Sequence, residues 1–375
     1  MTNWSIFTKE IRISSKLIND PELIAIKEKI EHGKRLDKAD GLACLKTHDL
    51  LGLGQLANAI RHAHYGKQTS YIVNHHINYT NVCSNACRFC AFYRAPGADG
   101  AYTLKIEDIL KSIRSASLAG LQEVHVVGGC NPELDLSYYL DMFKTIGSWN
   151  GQVKIKALTA VEVDQIAKKQ SMSSLEVLET LRNAGLAAMP GGGAEVFSAR
   201  LHKILFPKKA DAETWLRIHG EAHSLGIKTN ATMLIGHLET LEERVEHFTR
   251  LREQQDRSGG FQAFILLPFH PSNTPLDYLR GPSGPDILKT LATARLMLDN
   301  IPHMKAYWVM LGTKLAEIAL HYGADDFEGT IVNEHIAHEA GARTAKGLTE
   351  DELVSLIKEA GFVPVKRDTF HNVVG

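Results

Sequence analysis

Cys83, Cys87 and Cys90 lie within eight residues of one another, in a chain of 375 residues that holds only five cysteines. They form C-x3-C-x2-C in the stretch TNVCSNACRFCAFYR. Three thiolates on one short loop can bind three irons of an iron–sulfur cube and leave the fourth iron without a protein ligand, open to chemistry. A structural zinc site is the competing reading. Such a site normally takes four ligands, often as two separated pairs, and the sequence has no second C-x2-C pair. Cys130, His75 or His76 would have to supply the fourth. Cys44 sits in an apolar helical pattern and reads as a core thiol. Five cysteines in so long a chain do not make a disulfide framework.

Two glycine-rich stretches carry the next signal. In VHVVGGCNP, Gly128 and Gly129 follow a Val-rich strand pattern. Backbone without side chains admits a ligand closely there, although a plain strand-to-helix turn has the same composition. In MPGGGAEVF three glycines ending at Gly193 stand just before Glu195. Its carboxylate suits a ribose hydroxyl or an ammonium group; alternatively it starts the next helix, where the dipole favours an acid.

The elements that must position these residues follow from periodicity. Residues 15 to 66 carry apolar residues three or four apart and read as helices. From about residue 71, short apolar runs alternate with helical patterns: YIVNHHINY, EVHVVGG, VKIKALT, AAMPGG, KTNATML, FQAFILLPF, HMKAYWVM and a short one near GADDFEGTIV. That alternation predicts α/β architecture, a TIM-like (β/α) barrel, complete or partly open, of seven or eight βα units. The expected division is an N-terminal helical layer at 1–66, a barrel core at 67–320 and a segment at 321–375 that closes the barrel. Chemistry in such barrels sits where strands run into the following loops. The cysteines follow the first strand, Gly128 and Gly129 the second, and Gly191 to Glu195 the fourth.

Lys plus Arg number 42 and Asp plus Glu 43, and the isoelectric point is near 7.0. Nothing favours nucleic acid or a charged membrane surface. The opening MTNWSIFTKEIRISSK lacks the apolar core of a signal peptide, and no stretch is long and apolar enough to span a bilayer. A cytoplasmic protein acting on a small molecule is expected.

The segment CSNACRFC resembles the radical S-adenosylmethionine superfamily. The resemblance implies a [4Fe–4S] cluster on Cys83, Cys87 and Cys90. S-adenosylmethionine would chelate the open iron through its amino and carboxylate groups and be cleaved reductively. Phe89 would lie beside the adenine, and Gly128 and Gly129 near the methionine amino group. From about residue 50 onward, HHINYTNVCSNACRFCAFYR, PGGGAEVF, TNATMLIGHLET and GGFQAF resemble the radical enzymes of the futalosine route to menaquinone. KALTAVEV, GGGAEVF, LPFHPSNT and KAYWVMLG look more like the aminofutalosine synthase family than the dehypoxanthine futalosine cyclase family, whereas NYTN is more cyclase-like. The synthase resemblance implies addition of the 5′-deoxyadenosyl radical to 3-[(1-carboxyvinyl)oxy]benzoate, then rearrangement and decarboxylation to 6-amino-6-deoxyfutalosine. It also implies an electron donor such as flavodoxin or ferredoxin.

That reaction needs groups to anchor two carboxylates. Arg94, just past the cysteine loop, suits a bidentate clamp. His237, His270 and Gln262 lie at or near strand ends and offer hydrogen bonds, as do Asn333 and His338 further on. Each of these has a competing reading as a helix cap or a partner for loop backbone.

Overall fold

Short apolar runs separated by helical patterns pair side by side in parallel, because each intervening helix carries the chain back to the start of the next strand. The structure of the protein, a computed structural model describing residues 4–116 and 119–374, is built in this way. Among the described residues ten strands form one sheet: β1 (Gln68–Ile72), β2 (Asn74–Ile77), β3 (Glu123–Val126), β4 (Lys154–Ala157), β5 (Leu186–Met189), β6 (Lys228–Ile235), β7 (Phe261–Pro268), β8 (His303–Lys305), β9 (Asp326–Gly329) and β10 (Val363–Lys366). Their order is β10-β1-β9-β8-β7-β6-β5-β4-β3-β2, with every pairing parallel.

The sheet closes on itself through one run of chain. YIVNHHINY is split at Val73: β1 pairs with β9 and β10, whereas β2 pairs with β3. Past the end of β9, His75 bridges Val332, and the His76 N–H donates to the Val332 carbonyl at 2.9 Å. Both sides of the sheet therefore meet on residues 68–77, and the expected TIM-like barrel results.

Two strands depart from expectation. HMKAYWVM is a strand only as far as Lys305; Trp308–Leu311 is a helical turn. Its cause is Trp308, fully buried, whose indole N–H donates to the Gly329 carbonyl at 2.8 Å and pulls the chain off the ladder. β10 was not expected, because Pro364 interrupts its apolar pattern. Proline is tolerated there because β10 stands at one end of the strand order, where its missing N–H leaves no ladder bond unmade.

Helices Pro21–Glu31, Lys38–Lys46 and Leu50–Tyr65 each start at an aspartate whose side chain caps the first turn. Lys38–Lys46 packs on the barrel's outer helices Leu241–Ser258 and Gly284–Met297, Leu50–Tyr65 packs on Gly284–Met297, and Pro21–Glu31 packs on the other two N-terminal helices. Arg35 joins these layers, reaching Asp256 at 2.7 Å and Asp299 at 2.6 Å. Beneath, Phe248 and Phe264 are fully buried with ring centroids 5.8 Å apart; each such burial contributes about 1.5–3 kcal/mol. No helix among the described residues is long and apolar enough to cross a membrane.

Candidate active site

The loop after β2 is tied at its neck. The Cys83 N–H donates to the Arg94 carbonyl at 3.0 Å, and the Arg94 N–H donates to the Asn81 carbonyl at 2.9 Å. Its far side is held by Ser84 N–H on the Cys130 carbonyl and Arg88 N–H on the Leu205 carbonyl, both 2.9 Å. Ala86 turns the loop in the left-handed region at φ 49°. Cys83, Cys87 and Cys90 are thereby half-buried on the wall of one cavity of about 340 Å³ at the C-terminal mouth of the barrel.

The three thiols are not equivalent. A hydrogen bond from the Cys130 thiol lowers Cys83 to about 6. Burial pushes Cys87 up to about 12 and Cys90 up to about 11. Two of the three therefore stay protonated unless a cationic centre arrives to be ligated. Three sulfurs on one loop, facing open space, fit an iron–sulfur cube with one free iron. Cys44 is fully buried away from the cavity, as a core thiol should be.

The glycines let chain segments pack into this mouth. A Cβ on Gly129 would collide with the Val82 carbonyl, so the bare backbone there allows the cysteine loop to dock against the end of β3. Gly193 has φ +93°, and a Cβ would meet Val161 Cγ2 at 2.5 Å. Glu195 follows at φ 48° and forms a buried ion pair with Lys209. The ammonium lies 5.4 Å from the Phe89 ring centroid and 5.3 Å from that of Phe206. Burial alone would lower Lys209, but the carboxylate of Glu195 outweighs it and raises its pKa. Sequence reasoning missed Lys209, which stands 14 residues beyond its partner with no motif around it.

Glu162 was also missed. TAVE is a capping box, with Thr159 and Glu162 bonding each other's backbone. The same carboxylate accepts from the Tyr79 hydroxyl at 2.7 Å and the Gly128 N–H at 3.2 Å. It is fully buried on the cavity wall, and burial pushes it up to about 7.

Deeper in the barrel a polar rung crosses three adjacent strands. His76, His125 and Lys156 are register neighbours on β2, β3 and β4, and all three line the cavity. The two imidazoles stack at 4.4 Å. Lys156 donates to both oxygens of buried Glu123 at 3.0 and 3.1 Å. His76 Nε2, His125 Nδ1 and Asn230 Oδ1 are buried without a hydrogen-bond partner.

The structure brings Cys83, Cys87, Cys90, Phe89, Gly128, Gly129, Gly193, Glu195 and His270 to this one cavity. It does not bring Arg94, His237 or Gln262 there, and the reason is local in each case. Arg94 turns back to the Ala91 and Tyr93 carbonyls at 2.8 and 2.9 Å, bracing the cysteine loop. The His237 ring is held by the Leu234 carbonyl at 3.1 Å and the Leu238 N–H at 2.7 Å. Gln262, second residue of β7, lies too early in its strand and donates to the Thr369 carbonyl at 3.1 Å. Asn333 also stays off the wall, its side chain on His335 at 3.0 Å. His338 does too, pairing at 2.9 Å with Glu334, which does line it.

A parallel barrel with a three-thiol loop after β2 defines a class of protein, and comparison with known proteins agrees. Residues 77–251 match the family described as Radical SAM superfamily, and residues 258–373 that described as CofH/MqnC C-terminal region. An aminodeoxyfutalosine synthase of Thermus thermophilus is 43% identical over 361 residues, covering 95% of this chain and 97% of that one. A 5-amino-6-(D-ribitylamino)uracil–L-tyrosine 4-hydroxyphenyl transferase of Methanopyrus kandleri is 38% identical, covering 97% and 99%. A cyclic dehypoxanthine futalosine synthase of Halalkalibacterium halodurans is 36% identical, covering 93% and 94%. Among solved structures, methylornithine synthase (PylB) is similar in fold, with a TM-score of 0.74 at 18% identity over 90% of this chain and 97% of that one. The chain belongs to the radical S-adenosylmethionine superfamily, within the family that these relatives share. It is an enzyme, and its cofactors are a [4Fe–4S] cluster and S-adenosylmethionine.

Proposed function

We propose that the enzyme carries out the aminodeoxyfutalosine synthase reaction, joining the adenosyl group of S-adenosylmethionine to 3-[(1-carboxyvinyl)oxy]benzoate on a route to menaquinone. Rearrangement and loss of a carboxylate then give 6-amino-6-deoxyfutalosine. The observation that carries this reading is the 43% identity to the Thermus thermophilus synthase across 97% of its length, against 38% and 36% for the relatives with other named reactions.

In this reading Cys83, Cys87 and Cys90 hold the cluster, Phe89 lies beside the adenine, and Gly128, Gly129, Gly193 and Glu195 face S-adenosylmethionine. When bound, the cluster supplies the electron that cleaves S-adenosylmethionine at its sulfonium. The chain's own residues have other tasks. Leu234, Ile265, Leu267 and Phe269 on the cavity wall exclude water and stray hydrogen donors. His270, its Nε2 engaged with the Met310 carbonyl at 3.0 Å, presents the rest of its ring to the substrate. Residues 67–320 form the catalytic barrel, 1–66 its helical cover and 321–375 the segment that closes it. The enzyme works in the cytoplasm with an electron donor such as flavodoxin or ferredoxin.

Mass analysis of an anaerobic mixture of reduced enzyme, S-adenosylmethionine and the enolpyruvyl benzoate tests this reading. The expected product contains both adenine and the benzoate ring. Free 5′-deoxyadenosine accumulating without such an adduct would sink the synthase reading.

A further inference from the structure

Of the residues singled out from sequence as hydrogen-bonding partners for the substrate, Arg94, His237 and Gln262 turn elsewhere, and His270 reaches the cavity with its Nε2 already engaged by the Met310 carbonyl, so the ring carboxylate lacks a full set of partners among them. The cavity offers others. Its wall at β7 and the following loop is apolar, through Ile265, Leu267 and Phe269, whereas the opposite side carries the rung of His76, His125 and Lys156. His76 is 5% exposed, and its Nε2 has no partner. His125 Nδ1 is likewise unpartnered, 3.8 Å from the nearest Glu123 oxygen. The Lys156 ammonium has three donors and spends its bonds on a single carboxylate.

We propose that His76 and His125, with Lys156 beside them, form the anchor for the aromatic carboxylate of the substrate. This assignment rests on the proposed function. The enol-ether carbon must lie near the cysteine loop at the barrel mouth, and the ring carboxylate points away from it. The rung lies deeper: His76 stands seven residues before Cys83 in the sequence, on the strand that feeds the loop. A flat acid seated with its ring against the β7 wall and its carboxylate on the rung satisfies both ends of the cavity.

The charges around the rung cancel before the ligand arrives. Lys156, Lys305 and Arg367 face Glu123, Asp326 and Glu328. His76 is faced by His125 and Glu123 from β3, by Lys156 from β4 and by His75 from its own strand, and His125 also by Glu328 from β9. Burial holds both imidazoles neutral. A carboxylate entering this balanced set brings uncompensated charge, and an imidazole that takes up a proton restores neutrality.

Calorimetric titration tests the anchor on cluster-loaded enzyme with S-adenosylmethionine but no reductant, in two buffers of different ionisation enthalpy, above the ordinary imidazole range. The enolpyruvyl benzoate is expected to bind with uptake of about one proton. The probe 2-phenoxyacrylate, which lacks the ring carboxylate, is expected to bind about tenfold or more weakly with no uptake. His76→Asn and His125→Asn, compared at equal iron content, should each weaken benzoate binding and reduce the uptake. Equal affinity and equal proton uptake for the two ligands in the wild type would overturn the anchor without recourse to any variant. If the benzoate is converted to an adduct yet both variants bind it with wild-type affinity and uptake, the anchor alone falls. If the wild type does not bind the benzoate at all, the reading of function falls and the anchor with it.

Discussion

The two ends of the barrel differ in what their buried charged and thiol groups face. At the base, Arg295 pairs with Asp325, whose second oxygen accepts from His303 at 2.6 Å, and Arg367 pairs with Asp326, all of them buried except the partly exposed His303. At the mouth and just below it, three thiols face open space, and His76 Nε2 and Asn230 Oδ1 have no partner. A buried polar group left unpaired costs about 1–3 kcal/mol. The buried arginines at the base are thus matched to carboxylates of the chain itself, although His371 Nδ1 and Thr369 Oγ1 beside them lack a hydrogen-bond partner, whereas the three thiols at the mouth have room for a partner from outside the chain.

Substitution of the cysteines breaks this contrast most completely. Cys83→Ala should abolish iron binding and reductive cleavage of S-adenosylmethionine, measured by iron content and methionine release after anaerobic reconstitution. Cys44→Ala, in the helical cover, should keep its iron and lose about 1 kcal/mol of stability. Equal iron loss in the two variants would contradict the assignment of the loop.

At the base the expected damage is to stability alone. Arg367→Ala leaves Asp326 buried beside a vacant guanidinium position, which costs about 3–5 kcal/mol in denaturant unfolding, while iron content at low temperature stays unchanged. The pH dependence sharpens this. Burial would raise Asp326, but the charges of Arg367 and Lys305 outweigh it and hold its carboxyl below the usual range. Its contribution is therefore present above the unfolded carboxylate range and is lost as pH falls from there through the lower folded value. That acid-side loss should be smaller in Arg367→Ala.

Glu162, at the mouth, should behave with the opposite sign. Its folded pKa is raised by burial from 4.5 to about 7, so the neutral carboxyl stabilises the fold at low pH and that stability is lost as pH rises through this interval. Glu162→Gln should flatten the profile there by no more than about 3 kcal/mol. A wild-type profile as flat as the variant's would show the carboxyl already ionised. Smallest is Gly129→Ala, whose methyl displaces Val82 and with it the cysteine loop. Affinity for S-adenosylmethionine should fall about tenfold, or about 1.4 kcal/mol, by equilibrium binding.

Which parts of this molecule can be read from its sequence follows the same division. The strands on β2 to β7, the cysteine loop and the glycine turns were legible because each is local: a period, a spacing or a pair of small residues. The polar rung was not. His76, His125 and Lys156 lie on three strands 49 and 31 positions apart, and only the β2–β3–β4 register brings them side by side. Lys209 and Glu162 were hidden for related reasons, the first by distance from Glu195 and the second by its ordinary role in a capping box. Arg94, His237 and Gln262 show the converse, lying off the cavity although sequence position suggested them. A place just past the cysteine loop, as for Arg94, or near a strand end, as for His237 and Gln262, does not say which way a side chain turns, and carbonyls hold all three. The sequence reading weighed synthase against cyclase; a hydroxyphenyl transferase at 38% identity is a third neighbouring chemistry that the motifs did not distinguish.

The partnership of Arg367 with Asp326 also has a consequence in time. The two residues are 41 positions apart, and Gln262 finds the Thr369 carbonyl across 107. During synthesis Asp326 emerges well before the guanidinium that neutralises it, and β1 waits longer still for its neighbour β10. Contacts of such long range form late, because the loop between them must be closed before they reward it. The partners that hold the iron-binding loop directly, as far as Leu205, therefore emerge before Arg367, and the seal beneath the loop is completed after them.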